Sequence, residues 1–471
     1  MVPLGYLYVA SALRAGGADV SIIIASGTPQ TQFDTIRRRL DDIAPRLVVT
    51  GTSYKLHNNC PSPTTEAALE VTRIAKALRP ECTTLLIGPL NIVLEDALLS
   101  ASTVDALGLG EAEEICVAVS RVLAEGRELE SVPGLSVRKN GRPTRTGTTD
   151  YPDLEKLPFP EREGIDFERY IRNTYFARRT TEMLTSRGCP FDCTYCFGAR
   201  TSKRHDNNTG KYHRAVSPER VVEEIDLLYH RWGVRGIKFA DVEFCVSKAR
   251  VAKMCECMLR NGYKGLRWRA VTRATSVEPE LLTLMHRAGC RHIYYGVESG
   301  DAACLEAMRK QVSLDEIRQV FRDTKKAGIH PEASFLLGVP GETEETAERT
   351  IRFACELNAF ASTFHVFVPF PGIPLQSSLG SSGKLQLDDW SVYQLNVAKS
   401  YCDIPVDRLD WLSKHAYRRF YLRPRYLMGM ARQLANPHML RFAVAIALGR
   451  DEGGLLRNML SGTKKKIGLP S

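Results

Sequence analysis

Three of the thirteen cysteines stand apart from the rest. Cys189, Cys193 and Cys196 lie in the run Ser186-Arg187-Gly188-Cys189-Pro190-Phe191-Asp192-Cys193-Thr194-Tyr195-Cys196, separated by three residues and then by two. Three thiolates on one short loop can ligate three irons of a cubane [4Fe–4S] cluster, leaving the fourth iron open to a small molecule. A structural zinc would want a fourth Cys or His close by, and His205 and His213 are the nearest histidines. The other ten cysteines are scattered, mostly among apolar residues, and read as reduced thiols that fill core space.

The elements that must position this loop follow from the hydrophobic pattern. From about Thr180 to Pro374 strands alternate with helices. Strand patterns cover Glu182–Thr185, Gly236–Phe239, Arg267–Val271, His292–Gly296, Glu332–Leu337 and Ala361–Phe367, with amphipathic helices such as Pro218–Trp232 between them. About six β/α units in a row predict a partial barrel with its site at the C-terminal mouth. Met1–Glu125 alternates in the same way, with strands at Val20–Ala25, Leu47–Gly51, Thr84–Gly88 and near Asp105–Gly108. That pattern predicts a doubly wound parallel sheet with ligands outside the carboxyl ends of its strands. The chain opens directly on a helix where such a domain normally begins with a central strand, so a missing first strand or an incomplete domain is expected. The domains are read as 1–130 (α/β), 131–178 (hairpin and linker), 179–375 (partial barrel) and 376–471 (helical and basic).

The 471 residues carry a net charge of +10, with 44% hydrophobic and 25% charged residues, which excludes a disordered, collagenous or disulfide-scaffold chain. Most of the excess lies in Tyr401–Ser471, where thirteen Lys/Arg face five acids. There Arg418, Arg419, Arg423 and Arg425 alternate with Tyr417, Phe420, Tyr421 and Tyr426, as in an amphipathic packing helix rather than a base-stacking platform. No apolar run reaches the roughly 18 residues of a membrane helix, and Met1–Ala15 lacks the features of a signal peptide. A soluble, cytoplasmic chain with no nucleic-acid or membrane partner is expected.

The three-cysteine loop resembles the signature of the radical S-adenosylmethionine (SAM) superfamily, in keeping with the barrel pattern behind it. The resemblance implies that Cys189, Cys193 and Cys196 ligate the cluster and that its open iron chelates SAM, which one electron then cleaves to a 5′-deoxyadenosyl radical. Tyr195 takes the aromatic position set against the adenine. Tyr294-Tyr295-Gly296-Val297-Glu298-Ser299-Gly300 resembles the strand-end segment whose carboxylate, here Glu298, reaches the SAM ribose or amino group. Phe239-Ala240-Asp241-Val242-Glu243-Phe244 matches an acidic strand-end motif and leaves Asp241 and Glu243 as alternative SAM contacts. Arg269 and Arg273 could each hold the SAM carboxylate or simply be rim charges. Leu337-Gly338-Val339-Pro340-Gly341-Glu342-Thr343-Glu344 ends a further strand.

The first domain resembles that of cobalamin-binding radical SAM methyltransferases (class B). Pro3-Leu4-Gly5-Tyr6-Leu7, Gly51-Thr52-Ser53, Gly88-Pro89, Gly108-Leu109-Gly110-Glu111-Ala112-Glu113 and Leu157-Pro158-Phe159-Pro160 carry the likeness, as does Pro369-Phe370-Pro371-Gly372-Ile373-Pro374. The resemblance implies a cobalamin-binding Rossmann-type domain with Thr52, Ser53, Gly88 and Gly110 against the corrin. Two departures stand out. His57 is the only histidine before residue 200 and has no D-x-H-x-x-G around it, so a histidine below the cobalt is not expected. Gly88-Pro89-Leu90-Asn91 also lacks the second Gly and the His that relatives have.

Such a family implies methyl transfer from methylcobalamin to an unactivated carbon, or a phosphinate phosphorus, of a small natural-product precursor, typically in antibiotic biosynthesis. An electron donor such as flavodoxin or ferredoxin would serve it. The same machinery could instead cyclise or rearrange its substrate without methyl transfer. An RNA methylthiotransferase would need a second cluster on the first domain, for which Cys60, Cys82 and Cys116 are the available thiols. A non-enzymatic cobalamin sensor would have little use for the cluster loop.

Overall fold

The computed structural model describes residues 2–52, 65–198, 212–370, 372–375, 379 and 399–434, with the side chains of 432–434 left out. Ser53, His57, Cys60 and His205 lie outside the described residues, as do most of 376–398 and all of 435–471.

The first unit is a five-stranded sheet in the order β1-β2-β3-β4-β5. Strands β1 (Leu47–Gly51), β2 (Thr83–Ile87) and β3 (Ala106–Gly108) are parallel, because helical crossovers join them. These crossovers include α3 (Thr65–Leu78), α4 (Glu95–Ser100) and α5 (Ala112–Ala124); α1 (Leu4–Ala15) and α2 (Pro29–Ile43) precede β1. The hairpin β4 (Leu135–Lys139) and β5 (Arg142–Arg145) adds antiparallel to β3. It turns at Asn140-Gly141, both with positive φ (51° and 76°), as a two-residue hairpin requires. The sheet therefore runs through residue 145, beyond the boundary at 130 read from the pattern.

Val20–Ala25 forms no strand, contrary to expectation. A strand exists only through a partner, and on that side β1 is the edge of the sheet among the described residues. Helix α1 is apolar nearly all round because it is covered on both sides. Its Val9 and Leu13 pack with Leu85, Ile87 and Val119 of the first unit, while Leu4, Leu7 and Tyr8 join the core of the second. One continuous hydrophobic core thus runs from the first sheet into the barrel.

The second unit is a six-stranded, all-parallel open sheet in the order β13-β12-β11-β10-β9-β6. Its strands are β6 (Thr180–Met183), β9 (Gly236–Phe239), β10 (Arg267–Thr272), β11 (Cys290–Glu298), β12 (His330–Leu337) and β13 (Ala361–Val366). The expected partial (β/α)6 barrel is the architecture found. A two-stranded ribbon, β7 (Ser186–Gly188) with β8 (His213–Ala215), stands after β6 and carries the cysteine loop. The helix expected at Pro218–Trp232 is α-helical only as α6 (Pro218–Asp226) and continues as one π turn over Leu227–Arg231. The remaining barrel helices are α7 (Lys248–Asn261), α8 (Pro279–Arg287), α9 (Ala302–Ala307), α10 (Leu314–Lys326) and α11 (Glu344–Leu357).

Two further helices, α12 (Val406–Tyr421) and α13 (Pro424–Leu434), begin the basic C-terminal region. Tyr417, Phe420 and Tyr421 turn inward as a packing face, and Arg419 pairs outward with Glu348 at 2.7 Å. Helix α12 also covers the free edge of β13. Ser362 N–H and Phe364 N–H donate to the hydroxyls of Tyr421 (3.0 Å) and Tyr417 (3.1 Å), and Tyr421 donates back to the Ser362 carbonyl at 2.8 Å. An exposed strand edge is a template for unwanted pairing, and here its backbone groups are taken up by side chains.

Candidate functional site

The cysteine loop leaves the ribbon through Gly188, whose φ of 84° suits glycine. It is pinned at both ends. Asp241, at the end of β9, accepts from Thr185 N–H (3.2 Å), Thr185 Oγ1 (2.8 Å) and Ser186 Oγ. Within the loop, Thr194 N–H and Oγ1 donate to the carbonyls of Met308 and Ala307, both at 3.1 Å, and its own carbonyl accepts from Leu375 N–H at 3.2 Å. The loop's conformation is therefore set by three separate parts of the barrel.

Cys189 and Cys193 are buried and Cys196 is half-buried. Burial, with the neighbouring Cys196, Glu243 and Cys193, pushes the Cys189 thiol up to about 12 against a backbone hydrogen bond from Phe191. A cation is what such a thiol needs to ionise, and binding one would release protons. Among the described residues no group of three or more His, Cys, Asp or Glu side chains closes around a single metal ion. A structural zinc requires that convergence. A cubane places each thiolate on a different iron and asks only that the sulfurs border one shared volume.

Arg273, just past β10, stands beside this trio. Its Nη1 donates to the Cys193 sulfur at 3.1 Å, its guanidinium lies 4.0 Å from the centre of the Phe191 ring, and its Nη2 donates to the Lys310 carbonyl. Its Nε is buried without a hydrogen-bond partner. Such an orphaned donor beside a candidate cluster loop fits an incoming carboxylate. Glu243 sits behind it, accepting from the Arg273 backbone N–H at 2.8 Å and from Thr272 Oγ1. Asp241 and Glu243 are thus both buried and both engaged in holding backbone.

The opposite wall is built on Glu298, a non-glycine residue at φ 70° where β11 slips register between Gly296 and Glu298. Buried Lys310 bridges it to the cysteine loop, with Nζ 3.1 Å from Glu298 Oε1 and 3.2 Å from the Tyr195 hydroxyl. A Cβ at Gly296 would stand 2.5 Å from Glu298 Oε1 and 3.0 Å from Lys310 Nζ, so a larger residue would displace the tips of this pair. Tyr195, Glu298, Glu243 and Arg273 are therefore gathered with the three cysteines at one barrel mouth. Arg269 is not among them. It pairs with Glu332 at 2.7 Å in a buried group that includes His292 and Tyr175, deeper in the barrel.

In the first unit, Thr52, Gly88 and Gly110 fall at the carboxyl ends of β1, β2 and β3. Thr52 is fully buried, and its hydroxyl donates to Asn91 Oδ1 at 3.1 Å. Asn91 Nδ2 in turn donates to Leu86 O (2.8 Å) and Gly108 O (2.9 Å), so one side chain joins all three strand ends. Gly88 has φ 123°, a conformation only glycine takes easily. A Cβ at Gly110 would crowd Thr149 Cγ2 at 3.2 Å and Ile115 Cδ1 at 3.3 Å. Cys82 and Cys116 pack in different apolar cores, so they do not share a site.

Three contributors went unread in the sequence. Lys310 and Asn91 belong to no spacing motif, and their roles arise from tertiary contacts. His365 could have been found by strand parity. Ser362 and Phe364 are buried towards α12, so Thr363 and His365 face into the barrel, where Thr363 Oγ1 lies 2.5 Å from the Tyr294 hydroxyl. His365 is exposed to solvent on that face.

A family model, the Radical SAM superfamily, matches residues 183–354. Over 432 residues the chain is 28% identical to an uncharacterised methyltransferase, PH0819, of Pyrococcus horikoshii, covering 90% of this chain and 89% of the relative. It is 25% identical over 439 residues to the anaerobic magnesium-protoporphyrin IX monomethyl ester cyclase of Rubrivivax gelatinosus, covering 90% and 74%. The fold resembles the radical SAM methyltransferase TsrM of Kitasatospora setae, solved with cobalamin and a [4Fe–4S] cluster, at a TM-score of 0.66 and 18% identity over 81% of this chain and 72% of that one. Residues 183–354, which include the Cys189–Cys196 loop, thus match the Radical SAM superfamily, and the half-barrel together with the α/β unit before it has the fold of TsrM.

Proposed function

We propose that the chain is a cobalamin-dependent radical SAM methyltransferase. In this reading it transfers a methyl group from methylcobalamin to an unactivated carbon, or a phosphinate phosphorus, of a small natural-product precursor in antibiotic biosynthesis. The observation that carries it is the gathering of Cys189, Cys193, Cys196, Arg273, Lys310 and Glu298 at one mouth, with the strand ends of the first sheet held against the same ribbon. When bound, cluster, SAM and cobalamin supply homolytic chemistry, which an sp3 carbon without a lone pair requires. The residues do the rest. Cys189, Cys193 and Cys196 would hold the cluster. Arg273 would receive the SAM carboxylate, Glu298 the ribose or ammonium, and Tyr195 the adenine. Gly88, Gly110 and Thr52 would border the corrin. Burial of this mouth excludes water from a reactive intermediate, and a flavodoxin- or ferredoxin-type donor would supply the electron.

Anaerobic reconstitution with iron and sulfide, with and without cobalamin, tests the cofactors: about four irons per chain and a corrin absorption band are expected. Incubation with methyl-deuterated SAM then tests the transfer, since labelled product is required. The cyclase among the relatives favours one second reading, a ring closure or oxidative rearrangement by the same machinery. Unlabelled product formed with release of 5′-deoxyadenosine would select it.

A further inference from the structure

Between the two units lies a closed group of four charges that the proposed reaction does not use. Glu111 and Glu113 follow Gly110 at the end of β3, on the strand-end face where the corrin would sit. Arg187 and Arg214 sit on the two strands of the ribbon, and Arg187 is two residues before Cys189. Arg187 Nη1 donates to Glu111 Oε2 at 2.6 Å, and Nη2 donates to Glu113 Oε1 at 2.6 Å. Arg214 Nη2 pairs with the other oxygen of Glu111, and Arg214 Nη1 donates to the Pro152 carbonyl at 3.1 Å. Both guanidinium groups are roofed by rings, Arg187 by Tyr8 at 5.2 Å and Arg214 by Tyr151 at 4.1 Å. The side chains of Arg187 and Glu113 are only 13% and 4% exposed, so the pair is largely desolvated.

Desolvated ion networks of this kind add little net stability, because dehydration offsets most of the attraction. What they do impose is geometry. A guanidinium bridging two carboxylates fixes both distance and angle, which a single ammonium or an apolar contact would not. We propose that Glu111, Glu113, Arg187 and Arg214 are positioning residues that set the separation between the cobalt and the SAM-bearing cluster. Arg187 ties the cluster loop, through its own ribbon, to the loop that would border the corrin. The inference rests on the methyltransferase reading, since it needs both cofactors. A slack junction would let the radical form out of reach of the methyl donor.

The test is a distance, so no substrate is needed. In the reconstituted full chain, cob(II)alamin and the reduced cluster are both paramagnetic, and pulsed dipolar EPR reads their separation. Wild type should give one narrow distance, and Arg187→Lys a wider one, because an ammonium cannot hold two carboxylates at a fixed angle. Glu113→Gln and Arg214→Gln should give a distribution at least about twice as wide, with iron and corrin content unchanged, because each breaks one arm of the network. An unchanged width in both would overturn the proposal. So would loss of cofactor from every variant while the wild type loads, since the network would then be a folding element. A wild type that binds no corrin would instead sink the methyltransferase reading. The junction would then be judged by hydrogen exchange of Ser186–Gly188 and His213–Ala215, which must quicken about tenfold or more in Glu113→Gln for the tie to stand.

Discussion

Arg273 approaches the Cys193 sulfur to 3.1 Å while Glu243 holds its backbone amide at 2.8 Å. The backbone is therefore anchored on Glu243 and the guanidinium on Cys193 and the Lys310 carbonyl, while the buried Nε keeps no partner. Arg273→Met should weaken SAM binding about ten- to a hundredfold, the range of a lost charge-assisted hydrogen bond. The SAM-induced change in the EPR signal of the reduced cluster measures this, and iron content should be unchanged. Equal SAM affinity in variant and wild type would remove Arg273 from the site.

The cysteines allow a stricter test. Cys189→Ala, Cys193→Ala and Cys196→Ala should each abolish 5′-deoxyadenosine release, because a cubane lacking one thiolate cannot keep its open iron in place. Retained release in any of the three would show that the cluster sits elsewhere.

Lys310 is the only cation within hydrogen-bond reach of Glu298 among the described residues. Lys310→Met would leave a buried carboxylate unpaired, at a cost of about 3–5 kcal/mol. Adding Glu298→Gln should recover a large part of it, because the second change removes the stranded charge. Melting temperatures of the four chains in this cycle decide the point, and additive losses would mean that the two residues act separately.

A pH effect follows from Glu342. It is fully buried in the loop after β12, with one oxygen held by the Gly338 amide and the other unpartnered. Burial raises its pKa to about 7. Between about 4.5 and 7 the native state thus holds a proton that the unfolded chain has released, so its contribution to stability falls as pH rises through this window and is flat above it. Glu342→Gln should remove about 1–3 kcal/mol of that decline. Urea midpoints at pH 5 and pH 8 measure it, and parallel profiles for the two proteins would refute it.

The edge of β13 gives a stability prediction remote from the site. Tyr421→Phe leaves both the N–H and the C=O of buried Ser362 unsatisfied, whereas Tyr417→Phe leaves only the N–H of Phe364. Each should cost about 1–3 kcal/mol, with Tyr421 the larger. Thermal melts of the two variants would check the order.

Much of this was legible in the chain. Strands Leu47–Gly51 and Gly236–Phe239 were read to the residue, because each is a short apolar run bounded by turn or helix signals. The cluster loop was legible because its chemistry depends on local spacing. Val20–Ala25 misled because its apolar pattern is real but strand formation needs a neighbour that local sequence does not report. Lys310 and Asn91 were invisible for a related reason: each gains its meaning from partners on other elements, such as Tyr195 for Lys310 and Thr52 for Asn91.

The Tyr417 and Tyr421 hydroxyls have one further effect. By occupying the amides that a seventh strand would use, they keep the half-ring from ever closing. The sheet therefore stops at β13 because its outer amides are spent on phenol hydroxyls, so a further strand could not extend it by backbone pairing.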